Sequence, residues 1–200
     1  MMEPIHITPQ EAFKRLIDGN ARFVHGNYTH QHSTPGRLAE LREKQSPFAV
    51  IIACSDSRVP PEVIFDCGIG DLFVIRTAGN ILDDAGLGSV FYAVNHLGCP
   101  LIMVLGHESC GGLKAALLPD EDIEREPEAI RALIAKIRAN IQDTMNNHAH
   151  LIDFMSRAII ENISSTADSL NLVFRNRIDQ GTLAVKKGVF SFLTGNIEIH

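Results

Sequence analysis

The chain has 200 residues, 45% of them hydrophobic and 21% charged, with a mean hydropathy of +0.05. That is the composition of an ordinary globular domain, and it excludes disorder, a collagen-like chain or a coiled coil as a description of the whole. Eighteen Lys and Arg against 24 Asp and Glu give a net charge of -6, so nothing general draws the chain to nucleic acid or to an anionic membrane.

A first helix is announced by Thr8-Pro9-Gln10-Glu11, a capping-box pattern with Pro at the first helical position. Phe13, Leu16, Ile17 and Val24 follow at helical spacing. Residues 25–46 are polar and turn-rich and should form an exposed connection, which makes about 1–46 a helical arm. Three apolar runs come next: FAVIIAC (48–54), LFVIR (72–76) and LIMVL (101–105). Runs apolar on both faces suit central strands of a parallel sheet covered by helices. Between the second and third, Leu87, Val90, Phe91, Val94 and Leu97 share a helical face that Gly98 and Pro100 end. This is the rhythm of an open α/β sheet. Residues 121–180 read as mostly helical, and 183–199 as a closing hairpin around Thr194-Gly195-Asn196. With no internal repeat, one domain over 1–200 is expected. The apolar runs are too short to span a bilayer. The opening MMEPIHIT lacks the regions of a secretory signal, so a cytoplasmic protein is expected.

The four cysteines, at 54, 67, 99 and 110, have three readings. A disulfide framework suits neither the chain length nor a reducing compartment. Small buried apolar residues are the commonest fate of a free Cys, and that reading suits Cys67 and Cys99. Metal ligation needs company, which Cys54 and Cys110 have. Cys54-Ser55-Asp56-Ser57-Arg58 follows one buried run, and Gly106-His107-Glu108-Ser109-Cys110-Gly111-Gly112 follows another. Sites in open α/β sheets form at the carboxyl ends of strands. If these two strands are neighbours, Cys54, His107 and Cys110 converge. Two thiolates and an imidazole suit zinc and leave its fourth position open, as a catalytic site requires. A His-x-x-Cys pair alone is common by chance, so Cys54 at the end of another buried run, with Asp56 and Arg58 right behind it, carries the argument.

The stretches CSDSRVPPEVIFDCGIGDLFVIRTAGN (54–80) and LGHESCGGLKAAL (105–117) resemble the β-class carbonic anhydrases. The helix EAFKRLIDGNARFV, the helix LGSVFYAVNHLG and the strand GVFSFLTGNIEI are similar to that family too. The resemblance implies one zinc per chain on Cys54, His107 and Cys110. It also implies four parallel strands with an added antiparallel strand, homodimers or higher assemblies of dimers, and reversible hydration of carbon dioxide to bicarbonate. Gly79 and Asn80 match a family turn near the same pocket.

Zinc with two thiolates is formally neutral and acidifies water less than a three-histidine site does, so help is needed. Asp56 can occupy the fourth zinc position or take a proton from zinc-bound water. Arg58 can hold that carboxylate in a bidentate pair off the metal. The two residues then act as a gate: open, zinc carries the hydroxide that attacks carbon dioxide; closed, Asp56 is itself a ligand. The plainer alternative is a loop salt bridge. Gly111 and Gly112 could bring bare backbone close to a bound oxyanion, as substrate-binding positions.

Glu108 and Thr77 depart from the family, which favours a small hydroxyl residue and Asn there. A carboxylate at 108 could tune the metal or point to solvent, and solvent is the expectation. With no Trp in the chain, the bicarbonate-inhibition site some relatives build around one does not carry over. Histidines 6, 25, 30, 32, 96, 148, 150 and 200 should be surface groups, with His25 and His30 the first candidates to shuttle protons. Alternatives in function are carbonyl sulfide or carbon disulfide hydrolysis at the same zinc, or a non-catalytic zinc- or bicarbonate-binding role. No phosphate-binding glycine motif is present.

Overall fold

The computed structural model describes residues 7–147 and 153–200. Histidines 6, 148 and 150 lie outside the described residues. In chain order the elements are α1 (Pro9–Val24), α2 (Pro35–Glu40), β1 (Ala49–Cys54), α3 (Pro61–Ile64) and β2 (Leu72–Thr77). A 3-10 turn at Ala78–Asn80, α4 (Asp84–His96), β3 (Leu101–His107) and α5 (Gly111–Ala116) follow. The chain continues with α6 (Asp120–Ile123), α7 (Glu128–Asn140), α8 (Gln142–Asn147), α9 (Phe154–Val173), α10 (Arg175–Asp179), β4 (Ala184–Phe190) and β5 (Ile197–Ile199). No helix among the described residues is long and apolar enough to cross a membrane.

The five strands form one sheet in the order β2-β1-β3-β4-β5. The first three pairings are parallel, and β5 is antiparallel to β4. The expected α/β class and the antiparallel closing strand are both present. Every residue of β1 and β3 is buried. Their side chains alternate between two cores, which explains why the runs look apolar throughout. Ile51, Leu101, Met103 and Leu105 face Leu16, Leu113, Ile134 and Ile137. Val50, Ile52, Ile102 and Val104 face Val90, Val94, Ile163 and Leu170 on the other side.

One strand departs from expectation. LFVIR forms β2, but at the sheet's edge, with Leu72 to Ile75 half-buried and Arg76 exposed. Its composition suits burial; its place depends on which strand it pairs with. Phe91 is likewise not a core residue, being 38% exposed while its ring packs on that of Phe174.

The capping box at Thr8 and Glu11 is formed, and Asn20 ties α1 to the far end of the chain. Its amide donates to the carbonyls of Ile64 and Gly195 and accepts from the N–H of Ile197. The exposed segment after α1 is fastened down rather than loose. Asp66 accepts from Arg22 Nε at 2.6 Å, from the N–H and hydroxyl of Thr29, and from the N–H of His30. Burial opposes its ionisation, but Arg22 and Thr29 outweigh that and bring the carboxyl down to about 2. His32 pairs with Asp71 at 2.7 Å, half-buried rather than at the surface. The chain crosses so closely over Gly68 that a Cβ there would lie 2.1 Å from the Gln31 carbonyl oxygen.

Candidate metal centre

Strands β1 and β3 are hydrogen-bonded neighbours, so their carboxyl ends, and the loops leaving them, meet at one place. Connections diverge there, β1 leading outward to β2 and β3 to β4. Cys54 ends β1 and His107 ends β3. Ser109 turns the chain through a left-handed conformation, φ 53°, and brings Cys110 back beside His107. The ligand atoms of Cys54, His107 and Cys110 lie within 4.8 Å of one another, all three residues buried.

The donor set fits zinc. The two sulfurs are 3.9 Å apart, close to the roughly 3.8 Å that two ~2.3 Å Zn–S bonds span at a tetrahedral angle. His107 Nδ1 donates to the Glu108 carbonyl at 2.8 Å. A carbonyl can only accept, so Nδ1 carries the proton and Nε2 keeps its lone pair. That Nε2 is buried with no hydrogen-bond partner among the described residues, an expense that a metal bond removes.

Backbone donors surround the thiols. Cys54 accepts from the N–H groups of Asp56 and Gly79 as well as from Cys110. Cys110 accepts from the N–H groups of Leu113 and Gly112. As a metal-free pair the thiols share a proton. The first leaves readily because the remaining S–H bonds the new thiolate; the second is held, because that bond would be lost and both sulfurs are buried. Close packing supplies the donors. A Cβ on Gly112 would lie 3.0 Å from the Gly79 nitrogen, whereas Gly111 has open space. Asn162 holds the Gly79 carbonyl at 2.9 Å, and Asn140 in turn holds Asn162.

Asp56 is turned to Arg58. Arg58 Nε and Nη2 donate to its two carboxylate oxygens at 2.9 and 2.7 Å, and the Arg58 N–H adds a third bond at 3.0 Å. The Arg58 guanidinium keeps the Asp56 carboxyl well below the usual carboxylate range.

Sequence reasoning missed two residues here and misplaced a third. Arg76 donates from Nε to the Cys54 carbonyl and from Nη2 to the Asp56 carbonyl, at 2.9 and 2.6 Å, so it fixes the loop that carries both. Phe192 lies with its ring centroid 5.4 Å from that of His107 and 4.2 Å from Arg58 Cζ. Glu108, expected at solvent, instead accepts from the Ser191 hydroxyl at 3.0 Å and the Phe192 N–H at 2.7 Å. Thr77 donates its hydroxyl to the Ile81 carbonyl and so shapes the turn holding Gly79. His25 caps the C-terminus of α1 and His30 stacks on Tyr28; both are exposed, as are His96 and His200.

Comparisons with known proteins agree with this geometry. The family model for carbonic anhydrase matches residues 49–197. A carbonic anhydrase of Mycolicibacterium smegmatis is 36% identical over 96% of this chain and 93% of its own. Carbonic anhydrase 2 of Mycobacterium tuberculosis is 37% identical over 88% of this chain and 86% of its own. Among solved structures, the β-carbonic anhydrase CcaA superposes with a TM-score of 0.72 at 28% identity, covering 92% of this chain and 86% of that one. A β-carbonic anhydrase of Sordaria macrospora, described as tetrameric, gives 0.70 at 25% identity over 94% and 95% of the two chains.

Proposed function

Because the chain belongs to the β-class carbonic anhydrases, we propose that it interconverts carbon dioxide and bicarbonate at one zinc ion per chain, held by Cys54, His107 and Cys110. Zinc bound there supplies Lewis acidity, acidifying a water into the nucleophile that attacks carbon dioxide. The observation that carries this reading is the unpartnered His107 Nε2 facing two thiols 3.9 Å apart, beside a carboxylate already occupied by an arginine.

The N–H groups on both sulfurs draw off part of their negative charge, which leaves the metal more electrophilic than bare thiolates would. Asp56 and Arg58 act as the gate, and their pairing corresponds to its open position. Held ionised by Arg58, Asp56 can accept a hydrogen bond from the attacking water and orient it. Released from Arg58, the Asp56 carboxylate would be free to serve as a fourth ligand to a bound zinc and would then close the site. Arg76 pins the carbonyls on either side of Ser55, so such a swing is confined to the Asp56 side chain. Gly111 and Gly112 keep the floor beside Cys110 free of side chains, and to that floor we assign the substrate. Assembly as a homodimer, or a tetramer like that described for the Sordaria relative, fits the family. A reducing cytoplasm keeps the two thiols available for zinc.

The test is stopped-flow hydration of carbon dioxide from about pH 6.5 to 9, on protein whose zinc is assayed in the same samples. Hydration at one zinc per chain is expected. Zinc without hydration at any pH would overturn the reading and bring carbonyl sulfide or carbon disulfide, then a non-catalytic role, forward as substrates to assay.

A further inference from the structure

We propose that Glu108 and Phe192 form a brace that seats Arg58 and thereby keeps Asp56 turned away from the metal donors. The proposal rests on the reading of Asp56 and Arg58 as a gate, and it names what holds the gate open.

The Asp56–Arg58 pair needs outside support. The Arg58 side chain is 55% exposed, and an ion pair so open to water competes poorly with hydration and with the entropy of a long side chain. What distinguishes this arginine is the surface beneath it. Its Cζ sits 4.2 Å from the centroid of the Phe192 ring, within the range where a guanidinium is drawn to an aromatic face. The ring is itself positioned. It meets the His107 ring at 5.4 Å and the Phe190 ring edge-on at 5.9 Å.

The backbone beneath the ring is tied to the metal-binding loop by Glu108. Phe192 lies just past β4, in the turn to β5, where the sheet no longer holds it. Glu108 supplies what the sheet does not. Its N–H donates to the Phe190 carbonyl at 3.1 Å, one step beyond the β3–β4 pairing. Its carboxylate then takes the Ser191 hydroxyl and the Phe192 N–H. One residue therefore fastens the peptide that carries the ring to the residue next to ligand His107. Spending both carboxylate oxygens on the turn also directs this charge to the loop instead of the neighbouring metal donors. Glu108 touches no reacting atom on this account. It is a positioning residue, acting through Phe192 on Arg58 and through Arg58 on Asp56.

The test is NMR of the zinc-loaded enzyme, reading the Arg58 side-chain signals beside activity and zinc content. A guanidinium over an aromatic face has its protons shielded by the ring, so the Arg58 Cδ-methylene and Nε–H proton signals should lie upfield in the unaltered protein. Phe192→Leu should abolish that displacement, and Glu108→Ala should largely abolish it although the ring remains. Glu108→Gln, which keeps an oxygen to accept the Phe192 N–H, should retain most of it. Hydration by Glu108→Ala should fall on the order of tenfold in kcat with little change in KM, short of the ~100-fold that an ångström of misplacement can cost. Zinc should stay at one per chain. An Arg58 signal at its ordinary position in the unaltered protein, or one that Glu108→Ala leaves upfield, would overturn the brace. Activity lost only in proportion to zinc would overturn it too, since Glu108 would then merely support the ligand loop. The signals need no turnover, so an enzyme that fails to hydrate carbon dioxide refutes the proposed function while the shift still judges the brace.

Discussion

Cys54 and Cys110 differ from Cys67 and Cys99 in what faces the sulfur, and burial does not draw the same line: Cys67 is half-buried and the other three are buried. Cys54, Cys99 and Cys110 are 4%, 2% and 0% exposed, so depth does not sort them. Direction of hydrogen bonding does. Cys99 donates its S–H to the Pro47 carbonyl at 3.2 Å, and Cys67 donates to the Phe65 carbonyl at 3.3 Å. A thiol facing carbonyls keeps its proton, and burial pushes both up to about 12. Cys54 and Cys110 instead receive N–H groups, which favour the thiolate. The difference follows from chain position. Cys54 closes β1 and Cys110 follows β3, where the chain leaves the sheet and its N–H groups come free. Cys99 lies ahead of β3, at the opposite end, and Cys67 in the turn entering β2.

The comparison breaks most visibly on metal content. Cys54→Ala or Cys110→Ala should weaken zinc binding by more than ~100-fold, because partners one layer out already carry 10–100-fold. Cys67→Ala and Cys99→Ala should bind zinc as the unaltered chain does. Competition against a chromophoric chelator measures all four, and zinc loss in Cys99→Ala matching that in Cys54→Ala would show that burial, not N–H supply, marks a ligand.

A smaller effect isolates the N–H groups themselves. Gly112→Ala places a Cβ 3.0 Å from the Gly79 nitrogen and 3.2 Å from Ile137 Cδ1. The 3-10 turn and α5 must separate, moving donors away from both sulfurs while leaving every ligand in the chain. Zinc affinity should fall about tenfold. Gly111→Ala, with nothing within 4 Å of the new Cβ, should leave zinc affinity unchanged in the same titration. Equal behaviour of the two variants would remove the N–H groups from the explanation.

These contacts mark the limit of what the sequence discloses. The convergence of Cys54, His107 and Cys110 was legible because His107 and Cys110 are three residues apart and both loops follow runs whose burial on two faces is written in every residue. The edge position of β2 was not, since Leu72 to Ile75 have a core strand's composition and only pairing separates edge from centre. Glu108 reads as a surface carboxylate from its neighbours alone. Its partners are 83 and 84 residues away, and only folding reveals them. Arg76 was hidden likewise. On an edge strand a charged residue needs no special account, and its carbonyl partners lie 20 and 22 residues earlier.

The finest prediction concerns the thiol that keeps its proton. Cys99 holds it in the folded state to about 12 against an ordinary value of 9.0. Above pH 9 the unfolded chain releases this proton and the folded one does not, so the folded state binds more protons and stability must fall as pH rises. The slope approaches about 1.4 kcal/mol per pH unit for one such group, persisting until the folded thiol also titrates. Lysines and tyrosines titrate in the same window, so the informative quantity is a difference. Urea unfolding of the unaltered chain and of Cys99→Ala from pH 8 to 10.5 should give curves that converge and then cross, the variant starting less stable by roughly 1 kcal/mol for its lost packing and the unaltered chain losing about 2 kcal/mol more by pH 10.5. Curves that stay parallel would mean the folded thiol ionises as easily as the unfolded one. Cys99 would then be a buried thiolate like Cys54, and the carbonyl facing it would not be what sets the two kinds apart.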